Sequence, residues 1–319
     1  MKITMRVFML MAVLVLALPA KARSTNLEWL GIVTGFGGAE RETGMPKSPT
    51  ELGFVPHSQP LGKATGFGGV HALGVIPFGP FGVQASFQYK NASGSQFSTT
   101  FGPIYDFTAG KVGLFASYQH RTTFDQGGSS RSGNFWWIEP ALDWYLPEIN
   151  LSLRYIQPIS SAQSTNTEGD KFPKDPNDPP ETFVARRFDQ PINRLSATAS
   201  YFPPDFLSLG KDNLEVTFGA QVNSFAGPYS QVRSAWVGPI FGLAMMPAQN
   251  VELTLIKGTV DNRSRYEIQS AIRFYFGKSM PSLATGTSPS LKELRRKYME
   301  ASPYPVSSYT KCCRFRGRL

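Results

Sequence analysis

The sequence predicts an all-β fold: a transmembrane antiparallel up-and-down β-barrel of about twelve strands, with a short, partly helical C-terminal tail. Three observations predict it. Apolar and polar side chains alternate strictly over segments of ten to fourteen residues, longer than the ~5–6 residues of a globular strand and close to the ~9–11 of a tilted membrane strand. Charged residues are 17 % of the chain while aromatics reach 13 %, a low charge content beside the ~25 % of soluble domains. The connections between the alternating segments are alternately long and tight, as in a barrel with one looped rim and one turned rim.

Residues 1–22 stand apart from the fold. Lys2 and Arg6 form a positive n-region, Phe8 to Leu18 is an apolar run of eleven residues, and Pro19 leads into Ala20-Lys21-Ala22. This is the pattern of a secretory signal peptide cleaved near Ala22, and its apolar run is too short to cross a bilayer as a helix. No Cys follows it, so lipid attachment is not indicated. Later in the chain no apolar run approaches the ~20 residues of a membrane helix. Residues 23–276 therefore enter a membrane only as a closed barrel, since lipid offers no partner to open backbone.

The strands follow in order. Phe81-Val83-Ala85-Phe87-Tyr89 alternate with Gly82-Gln84-Ser86-Gln88-Lys90, and Leu214-Val216-Phe218-Ala220-Val222 with Glu215-Thr217-Gly219-Gln221-Asn223. The same reading places strands at 27–38, 64–76, 81–90, 96–107, 111–123, 134–145, 150–159, 184–202, 213–224, 231–245, 250–260 and 264–276. An even count returns both barrel ends to one side. Tight turns fall at Pro77-Phe78-Gly79-Pro80, Thr108-Ala109-Gly110, Leu146-Pro147-Glu148-Ile149 and Pro247-Ala248-Gln249. Residues 203–212 are the exception on that rim, and the longest loops, 39–63 and 160–183, lie on the other. Gly102-Pro103, Glu139-Pro140 and Gly238-Pro239 recur inside strands, where proline predicts bulges. Trp144, Tyr145, Tyr201, Phe202, Phe274 and Phe276 predict one aromatic girdle, and Tyr89, Phe97, Tyr118 and Phe135 the other.

The net charge of +9 is unevenly placed: residues 1–22 carry +3, residues 277–319 carry +7, and the 254 residues between sum to −1. The barrel itself is near neutral, so no nucleic-acid partner is expected. Residues 277–319 form a basic tail, mostly disordered by composition. Within it Ser290 and Glu293 make a capping box, and Leu291, Leu294 and Tyr298 share a face, predicting a short helix over 291–301. The tail is a candidate for contact with peptidoglycan or anionic headgroups. Cys312 and Cys313 are the chain's two cysteines, and neighbouring cysteines bridge each other poorly.

No chemistry-bearing motif emerges. The three histidines, His57, His71 and His120, have no metal-ligand spacing, and no cofactor site is read. Gly66-Phe67-Gly68-Gly69 lies in a strand pattern with no helix after it, so it reads as close-packed wall rather than a phosphate cradle. The strand register instead points ten charged residues inward as lumen-lining candidates: Asp106, Arg121, Glu139, Asp143, Arg154, Arg194, Glu215, Glu252, Glu267 and Arg273. Two readings stand, a structural salt-bridge filling and a pore lining that sets selectivity. Twelve strands lie between the filled interiors of ~8 and the open channels of ~16.

The cleavable signal, the membrane-length strands and the final Ile272-Arg273-Phe274-Tyr275-Phe276 resemble a bacterial outer-membrane porin-like β-barrel over residues 24–276. The aromatic-ended last strand is similar to the signal read by the barrel assembly machinery. In such barrels that strand ends the chain; here 43 residues follow. The resemblance implies outer-membrane lipid as surroundings and a passive channel or transporter for small solutes. The alternative is a structural or adhesive barrel acting through loops 39–63 and 160–183. It does not imply an enzyme: Ser117 and His120 fall on opposite faces of their strand, unlike the paired groups of outer-membrane phospholipases.

Overall fold

A computed structural model describes residues 28–41, 64–92, 94–124, 130–160, 163–168, 184–204, 210–225, 236–260, 266–277, 289–300 and 306–311. The proposed signal peptide and most of loops 39–63 and 160–183 lie outside the described residues.

Twelve antiparallel strands close into a barrel. They are β1 (Leu30–Arg41), β2 (Thr65–Phe78), β3 (Phe81–Asn91), β4 (Ser95–Phe107), β5 (Gly110–Phe124), β6 (Ser130–Tyr145), β7 (Ile149–Pro158), β9 (Val184–Tyr201), β10 (Leu214–Phe225), β11 (Trp236–Ala248), β12 (Val251–Val260) and β13 (Tyr266–Phe276). Each pairs with its neighbour in this order, and β13 returns to β1 in a register running from Gly31↔Phe276 to Arg41↔Tyr266. Closure leaves the barrel wall without an edge. Two shorter strands, β8 (Gln163–Glu168) and β14 (Val306–Lys311), were not legible in the alternation. They flank the first part of β9, which outruns the barrel and pairs with them rather than with β7 and β10.

The turned rim is built from short connections in which Gly79, Asp212 and Asn250 take positive φ. Positive φ suits Gly, Asn and Asp in tight turns. The prolines behave differently from expectation. Pro103, Pro140 and Pro239 sit in unbroken registers on the exposed face, so each costs a ladder bond without inserting a residue. The register shifts occur instead at Leu243/Ala244 and Met245/Ala248 in β11–β12, and between Thr254 and Lys257 in β12–β13.

The outer wall carries an aliphatic band that includes Val70, Leu114, Leu151, Leu153, Leu195 and Ile272, all exposed. Aromatic rings border it. At the turned rim Phe81 packs on Tyr105 with ring centroids 5.0 Å apart and Phe107 on Trp144 at 5.7 Å; at the looped rim Tyr118 packs on Trp136 at 4.7 Å. An apolar belt between two aromatic girdles is the surface a bilayer requires. Three residues expected in the girdles face inward instead. Phe202 and Phe135 are wholly buried, and Tyr145 has the inward parity of Asp143. Girdle membership depends on parity as well as height, and these three have the inward parity.

Candidate functional site

The inward faces of the twelve strands define the site. All ten charged residues read as lumen candidates occupy the inward parity of their strands. They form separate groups. At the turned rim Arg154 donates through Nη2 to Asp143 Oδ1 at 2.6 Å and approaches Glu139 at 4.0 Å, while Lys111 meets Asp106 at 2.7 Å. Nearby, Arg273 lies 3.4 Å from Glu252. Toward the looped rim Arg194 donates to Asn223 Oδ1 at 2.8 Å, and Glu267 lies 3.3 Å from Lys90. Arg121 is buried on the same inward line as Ser117 and Gln119. Glu215 and Glu252 are joined to partners that come from outside the wall.

Those partners belong to residues 289–300, which lie inside the barrel. A one-turn helix, α1 (Leu291–Arg295), starts at the capping box: Ser290 accepts from Glu293 N–H, and the Glu293 carboxylate accepts from Ser290 N–H at 2.9 Å. The expected helix over 291–301 is therefore shorter than predicted. After Arg295 the backbone gives way to turns, and the side chains engage the wall. The helix docks at the turned rim, where Lys292 Nζ lies 2.5 Å from Asp212 and donates to Pro147 O at 3.1 Å. Leu291 N–H donates to Asn213 Oδ1 at 3.0 Å. Arg296 donates to Asn150 Oδ1 at 3.0 Å and stacks over the Tyr145 ring at 5.0 Å.

Further in, Arg295 bridges two wall acids. Its Nε donates to Glu215 at 2.7 Å and its Nη2 to Glu252 at 2.7 Å. Glu252 has no solvent exposure and is also bonded by Tyr275. Arg273 Nη1 donates to Tyr298 Oη at 2.7 Å and Nη2 to Glu300 at 2.9 Å. Lys257, on the strand beside that of Arg273, reaches Glu300 at 3.1 Å. Gln84 clasps the backbone of Met299 from both sides, donating to its carbonyl at 2.6 Å and accepting from its N–H at 2.9 Å. Leu291, Leu294, Tyr298 and Met299 join a single buried apolar cluster with Ile32, Leu73, Ile104, Phe115 and Phe202 of the wall. The wall leaves room for this: a Cβ at Gly113 would meet Met299 Sδ at 2.8 Å.

The segment is thus a plug, and its Lys292, Arg295 and Arg296 are engaged by the barrel's own acids, amide and carbonyl oxygens. Burial by itself would raise the Glu300 carboxyl, but Lys257, Arg273 and Arg295 hold it well below the ordinary carboxylate value. Beside the plug two cavities remain, of about 190 and 90 Å³, both bounded by Glu300 and Lys257. Serine and threonine hydroxyls of β7, β9 and β10 line the larger one.

Several of these residues were absent from the sequence-based set. Glu40 and Lys90 pair at 2.6 Å at the looped rim, and Lys90 lies on a polar face the alternation had already shown. Lys257 escaped because strict alternation turns it outward. Leu255 and Ile256 both face out, and the shift in register there swings Lys257 into the lumen. Ser117 and His120 are on opposite faces: Ser117 is buried beside Thr100 at 3.2 Å, and His120 stacks on Phe97 and bonds Asn134 at 2.8 Å. Among the described residues no group of acids, histidines or cysteines is arranged to hold a metal ion.

No family model matches the chain. No curated protein is similar to it. Solved structures are similar in fold. A chain from work on the in-meso crystallization of membrane proteins aligns with a TM-score of 0.52 at 9 % identity, over 89 % of this chain and 100 % of its own length. The KdgM porin aligns at 0.40 and 12 % identity, over 77 % of this chain and 99 % of that one. The translocator domain of autotransporter NalP from Neisseria meningitidis aligns at 0.41 and 8 % identity, over 84 % and 96 %. The first of these likenesses supports the architecture; none assigns an activity.

Proposed function

We propose that the chain is an outer-membrane channel for small polar solutes, closed at its turned rim by its own C-terminal segment. The observation that carries this reading is the docking of residues 289–300 in a polar lumen through Arg295 on Glu215 and Glu252. A barrel filled for structure alone needs its interior charges satisfied by the wall. Here two buried wall acids take a further partner from a peptide on a separate stretch of chain, whose release leaves the twelve wall strands paired with one another. The apolar belt, the predicted signal peptide and the aromatic last strand support the outer membrane as its site, with insertion through the barrel assembly machinery.

The charges predict the selectivity of the open state. With the plug withdrawn, the turned rim keeps Asp106, Glu139, Asp143, Asp212, Glu215 and Glu252 against Lys111, Arg154 and Arg273, an acidic surplus. A ring of acids favours cations. Full-length protein in planar bilayers should be mostly silent, and a chain ending at residue 288 should give stepwise, cation-preferring conductance. A truncated barrel that folds, shown by heat-modifiable mobility, yet stays silent would sink the channel reading. It would favour the structural or adhesive one.

A further inference from the structure

We infer that the C-terminal segment passes right through the barrel, so that residues 306–311 stand at the looped rim. The plug enters at the turned rim. There β13 ends at Phe276, and Gly277 takes φ +131° against the Trp29 carbonyl, a place where a Cβ would lie 2.3 Å from that oxygen. From Lys292 onward the contacts climb the lumen. Lys292 binds Asp212 below the first residue of β10, and Arg295 binds Glu215 and Glu252, each the second residue of its strand. Met299 binds Gln84, and Glu300 meets Lys257 midway along β12, with its carbonyl 3.3 Å from Arg154 Nε.

The chain reappears at the other rim. In β14 Val306 pairs with Pro191 and Lys311 with Arg186. That stretch of β9 lies beyond Ile192, where pairing with β10 begins. Because β9 runs from the looped rim toward the turned rim, antiparallel β14 runs outward. Five residues, 301–305, connect Glu300 to Val306. Fully extended, they span roughly 20 Å. A path back through the turned rim and up the outside would descend part of the lumen and then climb a wall ten residues tall, roughly 33 Å along the strand. It would also lay unpaired backbone in lipid, which a bilayer does not tolerate. The lumen is the one route the chain length allows.

The lumen is then a conduit for extended polypeptide, and β8, β9 and β14 form a small sheet rising from the looped rim, with β9 in the middle. This inference rests on the outer-membrane placement proposed above, with the looped rim facing outside and the turned rim the periplasm as in barrels with long outer loops, but not on solute passage.

Cys312 and Cys313, the two residues that follow β14, supply the test. Intact cells expressing the full-length chain are treated with a mild reductant and then with a membrane-impermeant maleimide. Labelling equal to that of lysed cells, and lost in the Cys312→Ser/Cys313→Ser variant, is expected. Gly127→Cys, in the connection after β5, is labelled in the same Cys-free background to report the looped rim. If Gly127→Cys is labelled on intact cells while Cys312 and Cys313 react only after lysis, threading is overturned and the orientation stands. If neither is labelled before lysis, the orientation itself fails, and the channel reading with it. In the Cys-free background Ser308→Cys with Asp189→Cys, a paired position, should cross-link on oxidation and shift mobility on a non-reducing gel. A folded barrel that yields no cross-link would also overturn the threaded path.

Discussion

The two halves of the lumen contain the same kinds of side chain and treat them differently. Toward the looped rim the wall satisfies itself: Lys90 bridges Glu40 and Glu267, Gln119 donates to Gln96 at 3.1 Å, and Gln221 donates to Thr259 at 2.7 Å. Toward the turned rim the wall is left acidic and partly apolar, and a separate peptide completes it. The first arrangement makes a permanent interior. The second makes a removable one, because each plug contact can be broken without disturbing a strand register. Burying charge is costly unless the partner is present, so the half that depends on the plug is the half that can switch.

The sharpest way to break this contrast is at Arg295. Arg295→Ala strips a partner from Glu215 and Glu252 together. Removing one member of a buried pair costs about 3–5 kcal/mol, or roughly two-hundred- to five-thousandfold in the docked-to-undocked ratio. The expected outcome is a conducting channel with an intact barrel, read as open probability in bilayers against unchanged heat-modifiable mobility. Lys90→Ala removes a comparably buried cation at the other rim and should shift charge preference while leaving the plug closed. If Lys90→Ala opens the channel as fully as Arg295→Ala, the two halves are not functionally distinct.

Smaller effects sharpen the same boundary. Leu294 is fully buried in the cluster that joins plug to wall. Leu294→Ala should weaken docking by about 2–3 kcal/mol, the lower part of the range for such truncations, since the short segment can settle toward the gap. Gly113→Ala acts from the wall side, where the new Cβ crowds Met299 Sδ and the Phe115 ring. Methionine is flexible, so about 1 kcal/mol is expected, at the low end for overpacking. Both should raise open probability in that order. Neither should change the conductance of a chain already ending at residue 288.

The sequence made the barrel legible and the plug almost invisible, for one physical reason. Strands announce themselves through a period of two imposed by lipid on one face and polar space on the other. All twelve barrel strands could therefore be read locally, along with the inward parity of residues such as Glu252 and Arg273. The capping box at Ser290 and the apolar face of Leu291, Leu294 and Tyr298 were legible too, but only as a helix. What that helix binds is set by contacts such as Arg295 to Glu215 and Glu252, 80 and 43 residues away in sequence, which leave no periodic trace. Basic composition pointed the tail toward headgroups or peptidoglycan; it carried no sign that Lys292 and Arg295 within it meet Asp212, Glu215 and Glu252 of the same chain. Lys257 was hidden by a local break in alternation at Leu255-Ile256, where parity alone gives the wrong face.

The mildest perturbation of the contrast is pH, acting through Glu300. Its carboxyl is held well below the ordinary value of 4.5 by Lys257, Arg273 and Arg295. A depressed carboxylate contributes to docking in full above its unbound value. That contribution fades as pH falls through the lower, docked value. Closure should therefore be constant from pH 8 down to about 5 and weaken only below the ordinary carboxylate range. The effect stays modest because the Glu300 side chain is 36 % exposed to lumen water, which screens its ion pairs. Glu300→Gln should remove this acid-dependent component and leave a small, pH-independent rise in open probability, measured by titrating single-channel recordings on both sides of the bilayer. Opening that begins instead near pH 7 would have to come from a group other than Glu300, and would shift attention to His71, which lines the smaller cavity beside Arg273 and Glu300.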